Sequence, residues 1–443
     1  MDSDVIIVGA GAAGIAAANV LTEGGAECLV LEARGRSGGR IHTEWAPDCP
    51  TPIELGAEFI HGSALPIRRI ADCHRLRAFD IAGDRFEHSG TRLTMSRDNG
   101  VRLGRVMRRL DPHRDPDRSL ANALSALRGV LRPEDRVRFR QFVEGFDAAD
   151  PNLVSERWLA NTQPSVRDVR ESHIGRLVDG YGSLIDALAR PLGERIRLNS
   201  VVSAVRWRRG RVEVEYRSGR HARRARLTAR AILITVPLGV LQAPRAASGA
   251  IGFDPAVPPL ERASAAGVMG PVARVVLRFA EPFWLEPSFL RQRGARTLDR
   301  MTFMQSRSAL PFRVWWSTYP VRAPVLVAWA GGPRAAKLSA FTAGELEQAA
   351  VQSLAGVFFT TQARIRKALV ASHYHDWSGD PFSRGAYSYA KVEGYRMSGL
   401  LARPIQHTIW YAGEAADQPA STGTVHGAIA SGERAARSML QGW

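Results

Sequence analysis

Cysteine is nearly missing from this 443-residue chain. Cys28, Cys49 and Cys73 are odd in number and form no CxxC pair, which argues against a disulfide framework and against a zinc site. No metal site is expected. Lysine is as scarce: Lys337, Lys367 and Lys391 are the only three, so 57 of the 60 basic residues are arginine. No run of eighteen apolar residues is available to cross a membrane, because Gly, Pro or charge breaks the longest candidates. The opening MDSDVIIVGAG has neither the basic start nor the small-residue cleavage site of a secretory signal, and it enters a strand almost at once. A cytoplasmic protein with no membrane contact is the expectation. Internal repeats are absent too.

What is present is an ordinary globular composition, 45% hydrophobic and 23% charged, in a chain long enough for two lobes. The net charge of +17 is unusual, and it lies beyond the net acidic first sixty residues. The arginines are spread over helix and strand patterns without the aromatic interleaving that single-stranded nucleic acid needs. A solvated arginine-rich surface is therefore the expectation, rather than a nucleic-acid partner.

Along the chain, Asp4 to Ala33 reads as strand, turn, helix and strand. From about Ala64 to His173 the pattern is helical and basic, with breaks at DPHRDPD and Pro151. LVDGYGSLIDALARPLG reads as a turn and an amphipathic helix, and residues 196–236 alternate like an antiparallel meander. ARVVLRF and VLVAWAGG read as strands, and Thr342 with Glu345 opens a capped helix. The chain closes on a strand, IWYAGE, and a helix from about Val425 to Leu440. Pieces of one nucleotide domain thus occur at both ends and in the middle. The expected class is α/β, with two domains, both discontinuous.

Gly9, Gly11 and Gly14 have the GxGxxG spacing between the first strand and helix. Gly9 permits the tight turn, Gly11 admits a pyrophosphate close to the backbone, and Gly14 lets helix and strand touch. Ala12 and Ala13 begin the helix, whose N-terminal N–H groups and dipole suit phosphate. Glu32 ends the second strand, at the separation of about twenty residues where a carboxylate holds ribose hydroxyls. This unit does not separate FAD from NAD.

The next loop does. LEARGRSGGR, containing Ala33, Arg34, Gly38, Gly39 and Arg40, resembles the second signature of the flavin amine oxidase family (monoamine and polyamine oxidases and lysine-specific demethylases). The resemblance covers nearly the whole chain. IELGAEFIHG, with Gly56, Ala57 and Glu58, is similar to the family's flavin-lining segment. SVVSAV places Val202 where the family's backbone meets adenine, and ITVPLGVL resembles its strand end beside the cofactor. YAGEAADQPASTGTVHGAIASGERAA resembles the C-terminal signature, in which Gly413, Glu414, Thr424 and Val425 would meet FAD. The resemblance implies a Rossmann-like FAD-binding domain of the amine oxidase type from residues 1–63, 174–250 and 400–443. It also implies a discontinuous α+β substrate domain from 64–173 and 251–399.

The family moves hydride from a carbon beside nitrogen to flavin N5, so the implied cofactor is FAD and the implied partners are a small amine and O2. Trp377 and Tyr387 stand ten residues apart, the spacing of the family's flavin-side tryptophan and its substrate-cage tyrosine. Tyr387 either steers the amine or simply packs in a strand. Ala386 stands where covalent flavin carriers have cysteine, which implies non-covalent FAD. Thr424 occupies the second cage position, so a two-ring cage is absent and the polyamine oxidase and demethylase branch is favoured. His61 has two open readings, substrate or flavin contact and a turn-stabilising role. Aligning GPVARVVLRFAEPFW puts Arg274 where the family keeps the lysine that holds a water on N5. That exchange alters size and donor geometry, which leaves open a slow oxidase, a dehydrogenase with another acceptor, an enzyme for an anionic substrate, or a strand arginine turned away from the site.

FAD-dependent oxidation of a polyamine or another primary or secondary amine is the resulting expectation, with imine or aldehyde and H2O2 as products. The alternatives are an L-amino-acid oxidase, a biosynthetic dehydrogenase or desaturase of the same fold using a different substrate or acceptor, and a flavoprotein kept for binding, its basic helical region docking an acidic partner or nucleic acid. LGAEFIHG has no arginine where amino-acid oxidases clamp a carboxylate, which counts against the first.

Overall fold

The computed structural model describes residues 1–90, 92–96, 99–162, 173–219, 223–287, 289 and 297–442. Two large sheets organise them. The opening apolar run forms the strand Ser3–Val8, in which Val5, Ile6 and Ile7 are fully buried. It pairs in parallel with Cys28–Leu31 on one side and with Arg223–Ile234 on the other. Burial on both faces is what a continuous apolar run in a parallel sheet requires. Ile196–Arg197 and Ile409–Tyr411 extend the parallel part. Ser200–Arg208, Arg211–Ser218 and the first half of Arg223–Ile234 make the expected antiparallel meander. A single long strand therefore joins both parts of an eight-stranded sheet.

The helix Ala12–Glu23 leaves the first turn and packs along the last helix, Val425–Gln441. Their approach depends on Gly432, where a Cβ would stand 2.1 Å from the Ala13 carbonyl oxygen. Ile7, Ile15 and Leu21 share one core with Ile429 and Met439. The two chain ends are thus held together by packing before any ligand is considered.

The second sheet has seven strands in the order Leu369–Tyr374, Val272–Phe279, Val325–Gly331, Val314–Ser317, Met301–Ser306, Asp84–Ser89, Arg92–Met95. Its last two strands correct the expectation of a helical stretch from 64 to 173. Helices Leu65–His74, Asn99–Met107, Leu120–Ala126, Pro133–Phe146 and Glu156–Thr162 are there, but Ala78–Asp80, Asp84–Ser89 and Arg92–Met95 are strands. In DRFEHS only Phe86 and His88 turn inward, too short an alternation to stand out among charged residues. Parallel pairing with Met301–Ser306 and the 2.8 Å contact of His88 Nδ1 with Ser306 Oγ fix it as a strand. Residues 163–172 of the expected helical stretch lie outside the described residues. Thr342 and Glu345 form the capping box that opens Ala343–Val357. Among the described residues no helix is long and apolar enough to cross a membrane.

Glu54, ending the short strand Ile53–Glu54, is buried and accepts the Tyr181 N–H at 2.6 Å and the Thr43 hydroxyl at 2.7 Å. Burial raises its carboxyl to about 7, against the lowering influence of those donors. The folded chain thus keeps a proton that the unfolded chain releases near 4.5. This contribution to stability, at most about 3 kcal/mol, is full below the unfolded value and is lost as pH rises through the folded one. Glu54→Gln, a neutral near-isostere of the protonated acid, is therefore expected to change the melting temperature little at pH 5 and to raise it relative to the parent at pH 8, where the parent has lost this contribution. Equal shifts at the two pH values would contradict the assignment.

Candidate active site

The first glycine loop has the backbone its spacing implies. Gly9 adopts φ +107°, and a Cβ on Gly14 would lie 2.0 Å from the Gly9 carbonyl oxygen. Gly11 is the N-cap of the helix beginning with Ala12 and Ala13, whose first N–H groups have no side-chain cap. A Cβ on Gly11 would meet nothing within 4 Å, so open space lies over the helix N-terminus. Beside it, the buried Glu32 carboxylate accepts the Ala10 N–H at 2.8 Å and the Arg34 N–H at 2.9 Å. Ser200 N–H donates to the Glu32 carbonyl, which brings the strand carrying Val202 alongside. An uncapped helix end, a space that one methyl group would enter and a fixed carboxylate together fit the pyrophosphate and ribose of FAD.

The second glycine loop closes on the first through the bridge between Gly11 and Gly38 and the Gly38 N–H donated to the Ala10 carbonyl. Gly38 and Gly39 both have positive φ. Arg36 holds this loop together by donating to the carbonyls of Ser37, Gly39 and Ile41. The Arg34 guanidinium donates through Nη2 to Asp380 at 2.7 Å and Ser383 at 2.8 Å, its Nη1 lies 3.9 Å from Glu32 Oε1, and its backbone N–H also serves Glu32. Ala33 precedes it in the same loop.

Arg40 makes the polar link between the chain ends. Its Nη1 donates to Glu414 at 2.9 Å and to the Ala386 carbonyl at 2.7 Å, and buried Glu414 also accepts the Ser388 hydroxyl at 2.8 Å. Gly413, at φ +148°, donates its N–H to Ser431. A Cβ on Gly56 would stand 1.9 Å from the Arg40 carbonyl oxygen, and the Ala57 N–H donates to that same oxygen. Trp377 is buried against Gly56 and donates its indole N–H to the Leu55 carbonyl at 2.8 Å.

Farther along, Tyr387 donates its hydroxyl to the Phe146 carbonyl at 2.5 Å. Its ring lies 3.6 Å from where a Gly423 Cβ would be. Burial, with Asp147 and Glu414 adding to it, pushes the phenol above its ordinary range, so it stays protonated. His61 meets Phe146 edge-on at 5.5 Å and Phe59 at 6.0 Å, and Phe142 stacks on Phe146 at 5.1 Å. Burial, then the nearby His426, lowers His61 to about 4 and keeps it neutral near pH 7. Thr424 has a helix-capping role: its hydroxyl donates to the Ser421 carbonyl at 2.6 Å and accepts the Gly427 N–H at 3.0 Å, with Val425 as the first helical residue.

Arg274 is 5% exposed on the strand Val272–Phe279. It donates Nη1 to the Gly56 carbonyl at 2.6 Å and Nη2 to Glu58 Oε2 at 2.5 Å. Glu58 also accepts the Trp316 indole N–H at 2.9 Å and, on Oε1, Arg176 Nε at 2.7 Å. Both Glu58 oxygens are thus engaged by protein groups. Burial opposes its charge, but Arg176, Arg274 and Trp316 outweigh that and hold the carboxyl below its ordinary range.

Phe146, Phe59, Arg176 and Trp316 were not singled out in the sequence. An arginine in the otherwise apolar IGRLV and a tryptophan pair in VWWS were the available signals.

A family model described as flavin containing amine oxidoreductase matches residues 12–440. Polyamine oxidase 3 of Oryza sativa subsp. japonica is 29% identical, with 97% of this chain and 88% of that one aligned. Probable polyamine oxidase 4 of Arabidopsis thaliana is 27% identical over 98% of this chain and 86% of its own. The fold matches that of wild-type putrescine oxidase bound to putrescine with a TM-score of 0.81 at 20% identity, covering 100% of this chain and 99% of that one. With the match running from the first helix to the last, the chain belongs to the flavin containing amine oxidoreductases, FAD-dependent enzymes acting on CH–NH groups.

Proposed function

We propose that this enzyme oxidises a polyamine or another primary or secondary amine to an imine, which hydrolyses to an aldehyde, with O2 taking the electrons to H2O2. The observation that carries the substrate reading is the wall of Phe59, neutral His61, Phe146 and Tyr387. An amine gives up hydride from its neutral form, and an apolar, uncharged wall favours that form over the ammonium. Tyr387, anchored on the Phe146 carbonyl, orients the nitrogen by its ring face. Arg274 and Arg176 donate to Glu58 and to the backbone carbonyls of Gly56, Ser317 and Tyr319, so neither has a free fork for a substrate carboxylate. This favours an amine over an amino acid.

When bound, the flavin accepts hydride at N5 from the carbon beside the substrate nitrogen. Gly9, Gly11, Ala12, Ala13 and Gly14 would hold the pyrophosphate, Glu32 the ribose, and Val202 the adenine end. Gly38, Gly39, Arg40, Gly56, Ala57, Trp377, Gly413, Glu414 and Val425 would line the rest. Residues 1–63, 174–250 and 400–443 form the FAD-binding domain in this reading, and 64–173 with 251–399 the substrate domain. Ala386 carries no thiol, so the attachment is non-covalent. Free Cys28, Cys49 and Cys73 accord with a cytoplasmic location.

Tyr387→Ala is expected to retain FAD while slowing amine-driven flavin reduction about tenfold or more. Anaerobic stopped-flow absorbance measures both. An unchanged reduction rate would remove Tyr387 from the substrate site.

A further inference from the structure

The cation at position 274 does not stand alone. Gly56 and Glu58 on the loop after Ile53–Glu54, Arg176 on Ile174–Leu177 and Trp316 on Val314–Ser317 converge on it. Arg176 is anchored in turn, donating to the Ser317 carbonyl at 2.9 Å and the Tyr319 carbonyl at 3.1 Å. The Arg274 guanidinium lies 5.4 Å from the Trp316 ring centre, and that of Arg176 lies 4.9 Å from the Phe59 ring centre. Arg274, Arg176 and Glu58 are all nearly buried. Two guanidiniums thus share one carboxylate, with both carboxylate oxygens and several arginine nitrogens satisfied. A buried pair of this kind has one geometry, because any other leaves a charge without a partner.

We infer that Glu58 is a positioning residue: it pins the Arg274 guanidinium and offsets part of its field, and so slows transfer of electrons from the reduced flavin to dioxygen. This rests on the reading that places Arg274 beside the flavin. In the step concerned, two electrons and the N5 hydrogen leave the reduced flavin, one proton comes from solvent, and dioxygen becomes hydrogen peroxide. Negative charge develops on oxygen, and a cation answers it only to the extent that its own counter-ion does not. With Glu58 on Nη2 and the Gly56 carbonyl on Nη1, Arg274 has little freedom to turn toward that charge.

The test uses the FAD-loaded full chain. Glu58→Gln is expected to speed reoxidation of the reduced enzyme by air about tenfold. The flavin midpoint potential should become more positive, because the unmasked Arg274 charge favours the reduced form. Both changes should be clearly smaller when Glu58→Gln is made on an Arg274→Gln background, where Arg176 is the only cation left to unmask. If Glu58→Gln does not fold, Glu58→Gln with Arg176→Gln removes one charge of each sign, leaves Arg274 without a counter-ion, and is expected to give shifts of the same direction but smaller size. An unshifted potential in a folded, FAD-loaded variant would overturn the inference, and so would an equal shift on the Arg274→Gln background. If Arg274→Gln also leaves reoxidation and potential unmoved, the placement of Arg274 itself has failed. If Arg274→Gln moves them and Glu58→Gln does not, only the role of Glu58 has.

Discussion

Gly14→Ala is expected to yield a protein that purifies without FAD. The added methyl group would stand 2.0 Å from the Gly9 carbonyl oxygen and 2.9 Å from Thr235 Oγ1. The first neighbour is backbone in the phosphate-facing turn, so relief comes only by moving the helix Ala12–Glu23 off the strand before it. Overpacking of this kind costs about 1–3 kcal/mol, and the upper end lowers FAD affinity roughly a hundredfold. Gly11→Ala is the informative comparison. Its Cβ meets no protein atom within 4 Å, so the apoprotein should melt within a degree or two of the parent. It should still lose FAD, because the methyl group enters the space assigned to the pyrophosphate. Flavin absorbance per chain and the melting temperature of the apoprotein separate the two variants. A Gly11→Ala protein with full FAD would contradict the assignment of the cradle.

Arg274→Lys is expected to raise the rate at which air reoxidises the reduced enzyme by about tenfold, equivalent to about 1.4 kcal/mol of barrier. Arginine here is a fixed fork, bonded to Gly56 and Glu58 and covered by Trp316. Lysine is a compact, strongly hydrated ammonium on a flexible stem, able to carry a water toward developing charge. It also gives up one of the two anchoring bonds. The reductive half-reaction should change by less than about twofold, since the proposed substrate wall is formed by other residues. Rapid mixing of photoreduced enzyme with oxygenated buffer gives the rate. A rate no faster than the parent's would mean that position 274 does not control the oxygen step.

The residues that were legible in the sequence are those whose role is local. Gly9, Gly11 and Gly14 act within six residues, and their spacing carries the turn and the helix start. Glu32 sits at the end of the adjacent strand, and its partners, Ala10 and Arg34, are near in the chain. Thr342 and Glu345 cap a helix within one turn. The triad of Glu58, Arg176 and Arg274 was not legible as a unit, because three separate elements contribute one residue each and no periodicity links them. The same holds for Phe146, whose backbone carbonyl accepts the Tyr387 hydroxyl from more than two hundred residues away. Asp84–Ser89 was read as part of a helical stretch because the strand it pairs with, Met301–Ser306, lies more than two hundred residues away. The Asp380 partner of Arg34 was equally out of reach of the sequence, since it lies more than three hundred residues away.

The most direct test of amine oxidation at this site is anaerobic mixing of the FAD-loaded enzyme with putrescine, spermidine, a simple monoamine and L-leucine, following the oxidised flavin band. The account predicts that at least one amine bleaches the flavin, with a rate that rises as pH increases and more substrate becomes neutral, while L-leucine leaves it oxidised. Bleaching by L-leucine alone, or by none of the amines, would contradict it.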